Sequence, residues 1–263
     1  MYRFSYQKPT DVGQAASLLS AGGQALAGGQ TLLASMKQRL IQPEALVDLA
    51  SISGLVGISE QEGQIQIGAM TRHASVASSD LVCAKIPALA RLAGGIGDRQ
   101  VRAMGTLGGS IANNDPAACY PSGLLGLGAT VLTTRRSMAA EEFFQGLYAT
   151  ALEPDELVTA VRFPVPQRAG YAKFKQPASR YAVVGVFVAQ FATGVRVAVT
   201  GAGNGVFRHA GLEAALSASF TPGAVEGVTV DASSLNGDLH ASADYRAHLI
   251  LVQTQRAVEQ ALG

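Results

Sequence analysis

Apolar positions along this chain follow first a helical spacing, then an alternating one, and the changes mark its organisation. From residue 11 to 21, Val12, Ala15, Ala16 and Leu19 fall on one helical face, and Gly22-Gly23 supplies the stop. Leu32, Leu33, Met36 and Leu40 repeat that spacing and predict a helix over 32–40, with Pro43 just beyond. Strands are expected at 46–49, 55–58 and 64–67, the last alternating cleanly. Thr71 is placed to cap a helix running to about residue 78, and 87–92 predicts another. Residues 106–115 form a Gly-Gly segment among strand-like residues, 130–133 and 157–163 read as strands, and 139–144 reads as helix. Pro164 and Pro166 break both kinds of element, so a domain boundary is expected at 164–168. Beyond it lie strands at 171–175, 183–191 and 195–200, then helices at about 210–217 and 245–262. Strands precede helices here instead of alternating with them, which favours an α+β fold over a doubly wound parallel sheet.

Composition narrows the function more than the fold. With 48% of its 263 residues apolar, the chain can bury a substantial core. A formal net charge of +1 argues against nucleic acid as a partner. Cys83 and Cys119, the only cysteines, cannot supply the four ligands of an iron–sulfur cluster or a structural zinc site. Met1-Tyr2-Arg3-Phe4 lacks the apolar stretch of a secretory leader, and no apolar run approaches the roughly 20 residues of a membrane span. The expected location is the cytoplasm, with no integral membrane segment.

The 30 glycines include two pairs with a chemical use. Ala27-Gly28-Gly29-Gln30-Thr31 precedes a predicted helix, and Thr106-Leu107-Gly108-Gly109-Ser110 places hydroxyls on both sides of its glycines. Consecutive backbone N–H groups in such turns can surround a pyrophosphate, and glycine keeps side chains from blocking its approach. Residues 201–205, Gly-Ala-Gly-Asn-Gly, follow a strand and imitate a dinucleotide fingerprint, but Val206 stands where its third glycine belongs. There is no Walker loop, His-Glu-x-x-His or Gly-x-Ser-x-Gly motif, and the four histidines are scattered.

Ala27-Gly28-Gly29-Gln30-Thr31 with its following helix, Asp98-Arg99-Gln100-Val101-Arg102, Met104 through Pro116, Ala151 through Leu157, Phe174-Lys175-Gln176 and His240 through Arg246 occur in this order along the chain. Together they resemble the FAD-binding medium subunit of the aerobic carbon-monoxide-dehydrogenase and xanthine-dehydrogenase family of molybdenum hydroxylases. The resemblance implies an FAD-binding PCMH-type domain, like that of vanillyl-alcohol oxidase, over residues 1–165, with lobes of about 1–50 and 51–165. A smaller α+β domain, like the carbon-monoxide-dehydrogenase flavoprotein C-terminal domain, would occupy 166–263. FAD would lie between the lobes, its pyrophosphate on the backbone amides of Ala27, Gly28, Gly29, Gln30 and Thr31 and of Thr106, Leu107, Gly108, Gly109 and Ser110. Lys175 matches a flavin-contacting lysine of xanthine-oxidising relatives, where a cation favours the anionic reduced flavin. Val158 matches an apolar contact. Cys119 stands where related proteins often carry an acid.

The resemblance also implies a molybdopterin-containing large subunit, an iron–sulfur small subunit, and assembly as a dimer of heterotrimers. This chain would pass electrons from the partner's clusters through FAD to an external acceptor, with no catalytic side chain and no metal of its own. A stand-alone FAD oxidoreductase of the same fold and a cofactor-free assembly module remain alternatives. The first would need its own substrate pocket and base. The second is opposed by two intact Gly-Gly turns.

Overall fold

The computed structural model describes all 263 residues. The first lobe is a three-stranded parallel sheet, in the order β1-β3-β2, built from β1 (Ser5–Gln7), β2 (Gln24–Leu26) and β3 (Ala45–Asp48). Helix α1 (Val12–Ser20) crosses from β1 to β2, its N-terminus capped by Asp11, whose carboxylate accepts from the Gln14 amide at 2.9 Å. Helix α2 (Leu32–Lys37) joins β2 to β3. It stops before Leu40, because Arg39 takes a left-handed conformation at φ 61° and Leu40 faces solvent.

The second lobe starts with the hairpin of β4 (Ile58–Gln61) and β5 (Gln64–Gly68). Five helices follow: α3 (His73–Ala77), α4 (Asp80–Lys85), α5 (Pro87–Gly94), α6 (Arg99–Met104) and α7 (Leu107–Asn113). Next come α8 (Tyr120–Leu127), β6 (Thr130–Thr133), β7 (Ser137–Ala139), α9 (Ala140–Phe143), the small hairpin of β8 (Phe144–Gly146) and β9 (Ala149–Thr150), and β10 (Val158–Pro164). The five-stranded sheet has the order β4-β5-β10-β6-β7 and is antiparallel throughout.

The C-terminal part is a four-stranded antiparallel sheet of β11 (Arg168–Lys175), β12 (Ala182–Phe191), β13 (Gly194–Thr200) and β14 (Phe207–Arg208), with α10 (Ala210–Ala218) and α11 (Ala243–Leu262) against it. Along β12, Val184, Val186 and Val188 belong to the core beneath α10 and α11, whereas Phe187 and Ala189 belong to the core shared with the second lobe. Burial on both faces explains why β12 reads as a continuous apolar run. The boundary at 164–168 therefore separates sheets along the chain, while one of the two cores flanking β12 runs across it.

Three local expectations are corrected. Within 106–115 the chain is helical over 107–113, not strand-like: Thr106 Oγ1 caps the Gly109 amide, and Leu107 and Ile111, four apart, are on the buried face of α7. Thr71 caps no helix, since its hydroxyl accepts from the Gly57 amide and donates to the Gly57 carbonyl, leaving Arg72 at the start of α3. The strand expected at 55–58 begins only at Ile58, because residues 53–55 coil into a single turn and Gly57 adopts φ +137°.

Candidate functional site

The two Gly-Gly turns lie far apart in the chain and meet in space. A Cβ on Gly28 would strike the Met104 carbonyl and come within 2.7 Å of the Gly105 Cα. A Cβ on Gly109 would lie 3.4 Å from that of Ala27. The first turn therefore lies directly on the segment that leads into the second. Gly29, at φ +69°, supplies the left-handed residue that turns the chain from β2 toward α2.

The turns differ in what they can offer a ligand. Within the protein, no group accepts from the amides of Ala27, Gly28, Gly29, Gln30, Thr31 or Leu32, so six consecutive N–H donors remain unused. This half-exposed run is suited to a pyrophosphate, whose charge needs several donors converging on it. Hydroxyl donors stand close by, on Thr31 in the first turn and on half-buried Ser110 in the second.

The second turn has spent four of its five amides internally, leaving only that of Thr106. Leu107 N–H donates to the Thr71 carbonyl at 3.1 Å and Gly108 N–H to the Ala69 carbonyl at 2.8 Å. Gly109 N–H bonds Thr106 Oγ1 at 3.2 Å, and Ser110 N–H the Thr106 carbonyl at 3.0 Å. Leu107 and Gly108 are buried, and a Cβ on Gly108 would lie 2.6 Å from that of Ala69. Packing demands this glycine, and the second turn positions the first while presenting Ser110.

His73 supports the junction from below. A Cβ on Gly105 would lie 2.6 Å from His73 Nε2, and the His73 amide donates to the Gly105 carbonyl at 2.9 Å. Burial, assisted by the nearby Arg102 charge, lowers the imidazole to about 4, so the ring is neutral near pH 7.

Helix α7 leads from the paired turns to a second concavity. Seven residues at about 1.5 Å each give roughly 10 Å between its ends. Past its C-terminus, Asn114 takes φ 43° and donates to the Gly146 and Ala149 carbonyls at 2.8 and 2.7 Å, tying the helix to the β8–β9 hairpin. Asp115 accepts from Tyr148 Oη at 3.2 Å. There a cavity of about 330 Å³ opens between the second lobe and the C-terminal sheet, lined by Asp115, Gln176, Tyr181, His240 and Arg246 among others. Buried Arg246 donates to the Val183 and Gly201 carbonyls at 2.6 and 2.9 Å and to Asp238 at 2.7 Å. The 240–246 motif thus organises this cavity wall, as sequence reading alone did not reveal.

Other candidates separate. Lys175 is exposed at the end of β11, opposite Ala182, and has no hydrogen-bond or ion-pair partner. Lys173, two residues earlier, is fully engaged, donating to the Gly95 carbonyl at 2.8 Å, the Arg180 carbonyl at 2.9 Å and Cys119 Sγ at 3.4 Å. Val158 is buried in the shared core. Cys83 and Cys119 are both free thiols. The protein has no cluster of three His, Cys, Asp or Glu side chains arranged to hold a metal, and no helix long and apolar enough to cross a membrane.

Comparison with known proteins gives the geometry a context. A family model described as the FAD binding domain in molybdopterin dehydrogenase matches residues 2–166. The chain is 36% identical to the carbon monoxide dehydrogenase medium chain of Afipia carboxidovorans, over 98% of this chain and 96% of that one. It is 34% identical to the nicotine 6-hydroxylase medium subunit of Paenarthrobacter nicotinovorans, over 97% and 96% of the two chains. Its fold superposes on carbon monoxide dehydrogenase from Hydrogenophaga pseudoflava with a TM-score of 0.90 at 34% identity, covering 99% and 98% of the chains. For quinoline 2-oxidoreductase from Pseudomonas putida 86 the TM-score is 0.87 at 28% identity, covering 99% and 97%.

Proposed function

We infer the function from one premise: the chain belongs to the family of FAD-binding domains of molybdopterin dehydrogenases. It is an FAD-binding medium subunit of the molybdenum-hydroxylase type, and its relatives are subunits of oxidoreductase complexes. We propose that it serves such a complex as the electron-transfer subunit, alongside a molybdopterin-containing large subunit and an iron–sulfur small subunit in a dimer of heterotrimers. When bound, FAD supplies the capacity to take up electrons singly or in pairs, which lets such a subunit relay them from a partner's iron–sulfur clusters to an external acceptor.

The observation that carries this reading is the run of unused amides from Ala27 to Leu32, seated on Met104-Gly105. These N–H groups would hold the pyrophosphate, with the Thr31 and Ser110 hydroxyls beside them. Lys175, exposed and unpaired, is free to approach the flavin and stabilise negative charge on it. The chain has too few cysteines for clusters of its own. The names of its relatives include carbon monoxide, nicotine and glyceraldehyde, so substrate choice is assigned to the molybdenum-containing partner.

The test is purification from the native source. The protein is expected to carry FAD with a two-band flavin spectrum and to co-purify with the two partner subunits. A chain that takes up no FAD in the assembled complex overturns the site. Reduction of its flavin by a small substrate without any partner overturns the relay.

A further inference from the structure

We propose that Cys119 and Lys173 form an oxidation site, in which hydrogen peroxide converts the thiol to a sulfenic acid and the neighbouring amine condenses with it into a covalent sulfur–nitrogen link. The pair is preassembled. Cys119 Sγ lies 3.4 Å from Lys173 Nζ, and the amine cannot swing away, because the Gly95 and Arg180 carbonyls hold it at 2.8 and 2.9 Å. The sulfur is buried, with 5% of the residue exposed, so peroxide small enough to reach it meets the fixed amine at the same point.

A second feature prepares the site for an oxygen on sulfur. The Tyr171 hydroxyl is buried, with only 4% of the residue exposed, and finds no oxygen or nitrogen acceptor. Burial first, then the charge of Cys119 and a weak hydrogen bond toward its sulfur, push the hydroxyl's pKa up, so it remains a donor. A sulfenic oxygen on that sulfur is a stronger acceptor for this donor than the thiol. Cys83 provides the internal contrast. It is exposed, its thiol lies 3.6 Å from the Ala77 carbonyl, and nearby Lys85 is committed to Glu60.

The chemistry balances. The peroxide O–O bond breaks as the S–O bond forms, sulfur gives up two electrons, and the second peroxide oxygen leaves as water. The amine lone pair then displaces the sulfenic hydroxyl. The S–N bond forms, a second water departs, and the surplus ammonium protons pass to that water and to solvent. The product retains a single N–H and no ammonium charge, where Lys173 had held carbonyls from two parts of the molecule. Gly95 belongs to the second lobe and Arg180 to the loop after β11. Oxidation would therefore loosen a tie across the junction.

The site stands on this geometry whether or not a flavin binds. The test exposes the full chain to graded hydrogen peroxide and maps its peptides by mass spectrometry without reduction. Wild type should yield a peptide joining Cys119 to Lys173, lighter by two hydrogens than its parts and released by dithiothreitol. The cross-link should vanish completely in Cys119→Asp, which keeps a partner for the ammonium. It should also vanish in Lys173→Arg, where dimedone should instead trap a sulfenic acid at Cys119. If Lys173→Arg does not fold, the wild-type map decides alone. Cys119 unmodified once Cys83 is fully oxidised, or carried to sulfinic acid with no cross-linked peptide, overturns the proposal.

Discussion

Residue identity alone does not say what a glycine is for, and the two Gly-Gly turns show the difference. In the first, Gly28 permits contact with Met104-Gly105 and leaves its amide and the next four unused. A methyl group there would prise the turns apart. Gly28→Ala should lower FAD affinity roughly 100-fold, equivalent to losing two charge-assisted hydrogen bonds at about 1.5 kcal/mol each. Flavin titration monitors the loss, and the thermal midpoint of the apoprotein should fall as well, because the atoms displaced belong to the Met104-Gly105 backbone. Gly108 plays a different part. Its Cβ would overlap Ala69, so Gly108→Val should cost about 3 kcal/mol of stability through overpacking, read as a lower urea midpoint without ligand. The motif was legible in the sequence, but the concentration of free amides in one turn was not, because the Ala69, Thr71 and Thr106 carbonyls that occupy most of the other are positioned by folding. Cys119 was visible as a departure; its neighbour Lys173 was hidden behind the more recognisable Lys175.

At the level of elements, regular alternation and the long apolar run of β12 were readable, whereas the cap expected at Thr71 was not where it was placed and a short helix buried on every side left no signal. Strand β5 alternates, and its Ile65 and Ile67 are fully buried. Helix α8 is buried at all eight positions, so it carries no polar face and no periodicity to detect. Its Gly123 and Gly126 let it approach Leu92 and Phe187 instead. Two buried titratable groups make the second lobe acid-sensitive over separate ranges. His73, at about 4 when folded against 6.5 otherwise, binds a proton more readily in the unfolded chain. Its stabilising effect is complete above about pH 6.5 and declines as pH falls toward 4, by about 3 kcal/mol in all. Glu156 follows lower down. Burial opposes its charge, but hydrogen bonds from Arg136, Thr133 and the Glu153 amide prevail and lower it from 4.5 to about 2. Its stabilisation is present above pH 4.5 and is lost as pH falls toward 2. Urea midpoints across pH should flatten between 6.5 and 4 in His73→Gln and only below 4.5 in Glu156→Gln. A single acid limb, unchanged by both substitutions, would contradict this assignment.

For the whole molecule, the chain boundary at Pro164 and Pro166 is not a boundary in energy. Tyr171, Phe187, Ala189 and Ala198 on the C-terminal sheet belong to the same buried cluster as Leu89, Leu92, Leu124 and Phe163 of the second lobe. Across that seam Lys173 bonds Gly95, Arg180 bonds the Gly97 carbonyl at 3.2 Å, Arg91 bonds Gln260 at 2.8 Å, and Thr200 Oγ1 meets the Pro116 and Ala118 carbonyls at 2.9 and 2.6 Å. Cutting the chain there would expose one apolar face on each fragment, and Phe187 alone is worth about 2 kcal/mol of burial. Residues 1–165 expressed alone should therefore aggregate or bind a hydrophobic dye, and 166–263 should lack a cooperative transition. Mixing the two should restore a soluble complex that melts once, as the intact chain does. Two fragments that fold and melt independently would show separate cores. The same coupling bears on the proposed relay. In the proposed relay, a cofactor held by the first turn would reach along α7 to the cavity lined by Tyr181 and Arg246, and the proposed site would then draw on both sides of this seam.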